Sequence, residues 1–147
     1  MEKIPSFKID HLTLLPGLYI SRIDEVGGSF VTTFDVRMTR PNFEPAVQAN
    51  AMHTIEHLMA TYLRNDAEWK DKIVYWGPMG CMTGSYLLVK GKVTPEEIKP
   101  LLIRAFEFVS TYEGDIPGAS PVECGNYLFQ DLPMARWYAK KYLTHLK

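Results

Sequence analysis

The chain has 147 residues, of which 46% are hydrophobic and 22% are charged, and its formal net charge is −1. This length predicts a single domain, residues 1–147, that is large enough to bury a hydrophobic core. The near-zero charge and the absence of a basic cluster argue against nucleic acid as a partner. No segment predicts a signal peptide or a membrane span. We therefore expect a cytoplasmic protein without membrane contact, in which Cys81 and Cys124 remain thiols.

The first forty residues and a later segment predict β-structure. GLYISRIDEV and SFVTTFDVRM flank Gly27-Gly28, a dipeptide that accepts the positive φ of a tight hairpin turn. DKIVYWGPMG and TGSYLLVKG predict two further strands, with Cys81 in the turn between them. A helix is expected between these pairs of strands, over about residues 46–65.

Two further helices are predicted in the second half of the chain. Thr94 suits a helix N-cap, Glu97 suits its capping-box partner, and apolar residues recur at helical spacing after them. Residues 114–130 are mostly irregular, and a last helix is expected over about 132–146 with Asp131 as its N-cap. Strands followed by mixed strands and helices predict an α+β fold, with an antiparallel β-sheet packed against α-helices.

The segment AMHTIEHLMATYLRN, residues 51–65, carries a candidate metal site. Positions four apart in a helix share one face, so the imidazoles of His53 and His57 can reach the same ion. Glu56 lies about 60° to the side of His53, close enough to border that ion without binding it. The apolar residues occupy the opposite side: Ala51, Met52, Ile55, Leu58, Met59 and Tyr62.

Several functions remain open at this point. The pair could be two surface histidines, or H-x-x-E-H could be the inverted zinc-protease signature with glutamate as general base. A metal-binding module without catalytic activity is a third possibility. A catalytic metal site usually has three protein ligands and one open position, so a third ligand is needed. The candidates are Cys81, Cys124, His11, His145 and a distant carboxylate.

Five segments, taken in order, resemble the S-ribosylhomocysteine lyases, the LuxS enzymes that make the autoinducer-2 precursor of quorum sensing. The resemblance covers nearly the whole chain, and five motifs are far more specific than H-x-x-E-H alone. The motifs are SFKIDH (6–11), FDVRMTRPN (34–42), HTIEHL (53–58), GPMGCMTG (77–84) and ECGNY (123–127).

The resemblance implies a metal-dependent carbon–sulfur lyase. Its substrate would be S-ribosylhomocysteine, cleaved to homocysteine and 4,5-dihydroxy-2,3-pentanedione after migration of the sugar carbonyl and β-elimination. The implied metal ligands are His53, His57 and Cys124. The implied metal is Fe²⁺, for which Zn²⁺ or Co²⁺ can substitute.

The resemblance also implies roles for residues outside the metal site. Glu56 and Cys81 would be the two proton-transfer groups, and Ser6, His11 and Arg37 would line the substrate pocket. Family members are homodimers with active sites at the subunit interface. Two positions depart from the common pattern, because Met82 stands where many relatives have a polar residue and Glu123 where glutamine is frequent.

Overall fold

The computed structural model describes residues 1–147. Its four strands form one antiparallel sheet in the order β1-β2-β4-β3. The strands are β1 (Gly17–Val26), β2 (Ser29–Arg37), β3 (Ile73–Pro78) and β4 (Gly84–Lys90). The helices are α1 (Ala49–Asn65), α2 (Pro95–Thr111) and α3 (Leu132–Leu146), and a short 3₁₀ helix spans Pro5–Phe7. The predicted α+β architecture is confirmed, and none of the helices has the length and apolar character needed to cross a bilayer.

The first two strands form the predicted hairpin. Val26 pairs with Ser29 across the turn, and both intervening glycines have positive φ, 57° at Gly27 and 82° at Gly28. This backbone conformation costs little in glycine and more in a residue with a Cβ, which explains the dipeptide at this position.

Helix α1 begins at Ala49, three residues later than the predicted start at about residue 46. Gln48 is extended, with ψ of 134°, and the Val47 N–H donates to the Met82 carbonyl at 2.8 Å. The Val47 N–H is therefore hydrogen-bonded to the turn between β3 and β4 and not to a carbonyl of a helical turn, so the helix does not extend back to this residue. This bond fixes the Cys81 turn against the start of the helix that carries the two histidines.

The other two helices begin with the expected caps. The Thr94 hydroxyl accepts from the Glu97 N–H at 3.2 Å, and the Glu97 carboxylate accepts from the Thr94 N–H at 2.7 Å, which completes a capping box. The Asp131 carboxylate accepts from the Met134 N–H at 3.0 Å at the start of α3. Both N-terminal predictions are confirmed.

All three helices pack on one face of the sheet and share one hydrophobic core with it. Strand β2 is buried on both faces: Phe34 and Val36 point into that core, whereas Asp35 and Arg37 are buried on the opposite face. On α1, Ile55 and Leu58 are fully buried, so the histidine side of this helix faces away from the core.

Candidate metal centre

Helix α1 and the irregular segment before α3 bring three candidate ligands together. The Nε2 atoms of His53 and His57 lie 3.0 Å apart, and the Cys124 sulfur lies 3.6 Å from the first and 3.7 Å from the second. All three side chains are partly buried. Of the candidate third ligands that the sequence left open, the structure brings Cys124 to the histidine pair.

The hydrogen bond at Nδ1 of each ring influences whether Nε2 carries a hydrogen or a lone pair. His53 Nδ1 lies 2.6 Å from the Phe129 carbonyl oxygen, and His57 Nδ1 lies 2.7 Å from that of Pro117. A carbonyl oxygen only accepts hydrogen bonds, so each Nδ1 is placed to donate a proton to its carbonyl, and in that tautomer Nε2 offers a lone pair. Two lone pairs facing one another repel unless a metal ion or a proton lies between them. The two Nε2 atoms and the Cys124 sulfur therefore form a cluster that could hold a metal ion.

The spacing of the three atoms also fits a tetrahedral first-row metal. With usual bond lengths of about 2.0 Å to nitrogen and about 2.3 Å to sulfur, such a site separates its nitrogens by roughly 3.3 Å and nitrogen from sulfur by roughly 3.5 Å. The observed separations of 3.0, 3.6 and 3.7 Å are close to these values. Two imidazoles and one thiolate suit zinc, iron or cobalt and leave one position for water or substrate.

The loop around Gly118 supports one of the rings closely. Gly118 has φ of +73°, and a Cβ placed on it would lie 3.2 Å from His57 Nδ1. A Cβ at this position would crowd the imidazole, so glycine lets the loop approach the ring closely, while the Pro117 carbonyl is placed to accept a hydrogen bond from the ring Nδ1–H. Hydrogen bonds of this kind orient a metal-binding histidine and fix its tautomer.

Glu56 lies on α1 directly before His57 in sequence, and its side chain is half-buried. Its carboxylate forms no ion pair with a lysine, an arginine or a histidine. A carboxylate that no cation holds in an ion pair is available to accept and return a proton.

A second cluster surrounds Cys81. Arg37 is only 1% exposed and forms a bidentate pair with Asp35, at 3.0 and 2.6 Å. Its remaining terminal nitrogen lies 2.8 Å from the Thr83 hydroxyl and 3.9 Å from the Cys81 sulfur. Cys81 itself is exposed, so its thiol can meet a substrate while its neighbours stay fixed.

His11 lines the same cavity as Cys81, a space of about 330 Å³ that Glu44 also borders. The His11 Nδ1 lies 2.9 Å from the Ile9 carbonyl, which orients the ring. The hydrogen bond from Lys141 to the Glu44 carboxylate, 2.7 Å long, holds the pKa of that carboxyl below its usual value. The cavity is thus bordered by an oriented imidazole, a thiol and a carboxylate whose ionised form is stabilised.

Ser6 lies elsewhere, in the 3₁₀ helix near the N-terminus. It lines a cavity with Arg22, Tyr75 and Tyr86, side chains from three strands of the sheet. Ser6 thus lines a different cavity from the one that His11 and Cys81 border together. Its assignment to the substrate pocket stays a prediction.

Sequence reasoning missed several groups that hold these clusters in place. Asp35 could have been found, because residues two apart on a strand share one face and Asp35 is therefore placed to pair with Arg37. Thr83 was harder to find, because its only sequence signal is its position two residues after Cys81. The carbonyls of Pro117 and Phe129 gave no signal, since any residue supplies a carbonyl and only the fold brings these two to the rings.

Comparison with known proteins agrees with the site. The family model of S-ribosylhomocysteinase (LuxS) matches residues 4–147. The S-ribosylhomocysteine lyase of Phocaeicola vulgatus is 62% identical over 143 residues, which cover 97% of this chain and 89% of the relative. Those of Porphyromonas gingivalis and Clostridium beijerinckii are 54% and 55% identical over 146 residues, covering 99% of this chain and 92% of each relative. The chain therefore belongs to the S-ribosylhomocysteinase (LuxS) family and is an enzyme of the carbon–sulfur lyase class.

Proposed function

We propose that residues 1–147 form one lyase domain that cleaves S-ribosylhomocysteine to homocysteine and 4,5-dihydroxy-2,3-pentanedione at a ferrous ion. The observation that carries the proposal is the convergence of His53 Nε2, His57 Nε2 and Cys124 Sγ within 3.7 Å of one another. This ligand set leaves an open position, as a catalytic site requires and a purely structural site does not. Zn²⁺ or Co²⁺ would fit the same three atoms.

The reaction needs a proton to be moved at each step. The sugar carbonyl migrates from C1 to C2 and then to C3, each time by loss of a proton from the carbon next to the carbonyl and return of a proton to the former carbonyl carbon. Loss of the C4 proton then expels the thiolate from C5, and protonation of that thiolate gives homocysteine. A divalent ion, when bound, supplies Lewis-acid polarisation of the carbonyl and hydroxyl oxygens throughout.

The chain offers two groups for these transfers. Glu56 borders the metal face of α1 and has no cationic partner, so we assign it the acid/base role at the carbons nearest that helix. Cys81, on the turn between β3 and β4, is assigned the second proton-transfer role. We also assign substrate contacts to Arg37, which lies beside that turn, and to His11, which lines the same cavity as Cys81.

We further propose that the enzyme is a cytoplasmic homodimer with active sites at the interface. Ser6 supports this proposal, because it lies in a separate cavity from Cys81 within one chain and could serve the site of a second copy. Exposed apolar residues near it, among them Ile4, Phe7 and Tyr75, would be buried by such a contact. Sedimentation equilibrium tests the dimer, and a monomer at assay concentration would contradict it.

The function is tested by thiol release from S-ribosylhomocysteine under anaerobic conditions, after ferrous loading. Wild type should release homocysteine, whereas Glu56→Gln and Cys81→Ala should release little or none while retaining the ion. Near-normal turnover by Glu56→Gln would contradict the acid/base role of Glu56, and near-normal turnover by Cys81→Ala would contradict the proton-transfer role of Cys81.

A further inference from the structure

Thr83 lies at the end of the Cys81 turn, directly before β4, and is only 7% exposed. Its hydroxyl oxygen lies 2.8 Å from a terminal nitrogen of Arg37 and 3.1 Å from the Cys81 sulfur. The direct separation between the same Arg37 nitrogen and that sulfur is 3.9 Å. The hydroxyl is therefore the closest polar group of this cluster to the sulfur.

Counting donors fixes the direction of the bond between Arg37 and Thr83, and a negatively charged sulfur, which has no hydrogen to donate, fixes the direction of the other. A guanidinium group has only N–H donors, so the Thr83 oxygen must accept from Arg37. The single hydroxyl hydrogen then remains for another acceptor, and the sulfur is the neighbour at hydrogen-bonding distance. Accepting from a cation polarises the hydroxyl and strengthens its own donation.

Arg37 and Thr83 are both held in place by further hydrogen bonds. Asp35 holds the other edge of the Arg37 guanidinium through two bonds, and both side chains are about 2% exposed or less. The Thr83 backbone carbonyl accepts from the N–H groups of Met38 and Thr39, at 2.9 and 3.1 Å. Thr83 is thus anchored through its side chain to Arg37 of β2 and through its backbone to the two residues that follow β2.

We propose that Thr83 is a positioning residue, whose hydroxyl accepts from Arg37 and donates to the Cys81 sulfur whenever that sulfur carries negative charge in the reaction. The inference rests on the proposed proton-transfer role of Cys81. A charged sulfur that accepts a hydrogen bond is both stabilised and held in one rotamer, so the hydroxyl supports proton removal without touching substrate.

The test compares Thr83→Val and Thr83→Ala, which lack the hydroxyl, with Thr83→Ser, which retains it. Thr39→Val is a matched control, because Thr39 is also buried, at 1% exposure, and its hydroxyl has no hydrogen-bond partner. In ferrous-loaded enzyme we expect the two hydroxyl-free variants to lower kcat about 10- to 100-fold with KM changed less than about threefold. Thr83→Ser and Thr39→Val should stay within about threefold of wild type.

A second readout follows Cys81 without turnover. Alkylation of Cys81 by iodoacetamide, measured by peptide mass spectrometry on metal-loaded protein at neutral pH, should slow at least about fivefold in Thr83→Val and Thr83→Ala and not in Thr83→Ser. If Thr83→Val does not fold, the comparison of Thr83→Ala with Thr83→Ser decides.

Equal kcat and equal alkylation rates in Thr83→Ala and Thr83→Ser would overturn the inference. If at the same time Cys81→Ala is inactive, the proposed role of Cys81 stands and only the role of Thr83 is lost. An active Cys81→Ala would instead remove the proposed role of Cys81, and the role of Thr83 with it.

Discussion

His53 and His57 present their Nε2 atoms to each other at 3.0 Å, while the Nδ1 atoms point to the carbonyls of Phe129 and Pro117. The helix supplies the four-residue spacing of the rings, and the irregular segment between α2 and α3 supplies both the carbonyls and Cys124. The candidate metal site is therefore assembled from one regular and one irregular element, so changes in the irregular segment should alter metal binding.

Gly118→Ala should weaken metal binding. A Cβ at this position would lie 3.2 Å from His57 Nδ1 and displace either the ring or the loop whose Pro117 carbonyl orients it. Loss of such an orienting bond typically lowers metal affinity about 10- to 100-fold, which chelator competition with Zn²⁺ or Co²⁺ can measure.

Gly114→Ala is the control for Gly118→Ala. Gly114 also has positive φ, +101°, but a Cβ there would meet nothing within 4 Å. Both variants should lose about 1 kcal/mol or more of stability from backbone strain, and only Gly118→Ala should lose metal affinity. Equal metal affinities in the two variants would contradict the role of the Gly118 loop.

Asp35→Asn should strongly destabilise the fold. It would leave the Arg37 guanidinium, which is 1% exposed, without its charged partner. Removing one member of a buried ion pair costs about 3–5 kcal/mol. The matched change Asp24→Asn breaks an exposed pair with Arg22 and should cost at most about 1 kcal/mol. Urea unfolding curves measure both, and similar midpoints would argue against a buried pair that stabilises the sheet.

Glu44 should contribute stability that disappears in acid. The hydrogen bond from Lys141 lowers the pKa of Glu44 in the folded protein, so the folded state holds this proton less tightly than the unfolded chain does. The contribution is therefore complete above the unfolded-state pKa of about 4.3 and is lost as pH falls through the lower folded-state pKa. Because both side chains are about one-third exposed, with relative exposures of 32% for Glu44 and 31% for Lys141, the effect should be below about 1 kcal/mol.

Glu44→Gln tests this contribution. The variant should be less stable than wild type at pH 7, and the difference should vanish near pH 2, about two units below the usual pKa of a glutamate. Thermal unfolding across this range measures it. A difference that grows toward low pH would have the wrong sign and would contradict the assigned cause.

Met82→Ile should destabilise the Cys81 turn. Met82 has φ of 60°, a left-handed conformation that β-branched residues strongly disfavour. We expect a loss of about 1–3 kcal/mol for isoleucine, and a smaller effect for Met82→Asn, since asparagine tolerates this conformation. Urea unfolding of both variants provides the comparison, and equal stability of Met82→Ile and wild type would show that the turn accepts another backbone geometry.

Much of the fold followed from local signals in the sequence. Gly27-Gly28, Thr94 with Glu97, and Asp131 each act on adjacent backbone groups, so their effects are readable without the rest of the chain. The start of α1 was predicted too early because its limit is set from a distance, by the bond from Val47 to Met82.

The candidate site also combines features that depend on neighbouring residues with features that depend on distant ones. The spacing of His53 and His57 predicted a shared ion from the geometry of one helix, but spacing could not choose among the possible third ligands. Cys124 lies 67 positions from His57 in sequence, and only the folded loop brings the sulfur to the pair. Residue patterns also could not reveal that Arg37 is buried, since its burial depends on Asp35 and on the Cys81 turn together.

We propose that the lyase reaction depends on an ion held by His53, His57 and Cys124. This dependence is tested by the ferrous content of anaerobically loaded wild type, Cys124→Ala and Cys81→Ala, measured after gel filtration. We predict one ion per chain in wild type and in Cys81→Ala, and a large loss in Cys124→Ala. A full complement of iron in Cys124→Ala, or its loss in Cys81→Ala, would contradict the claim.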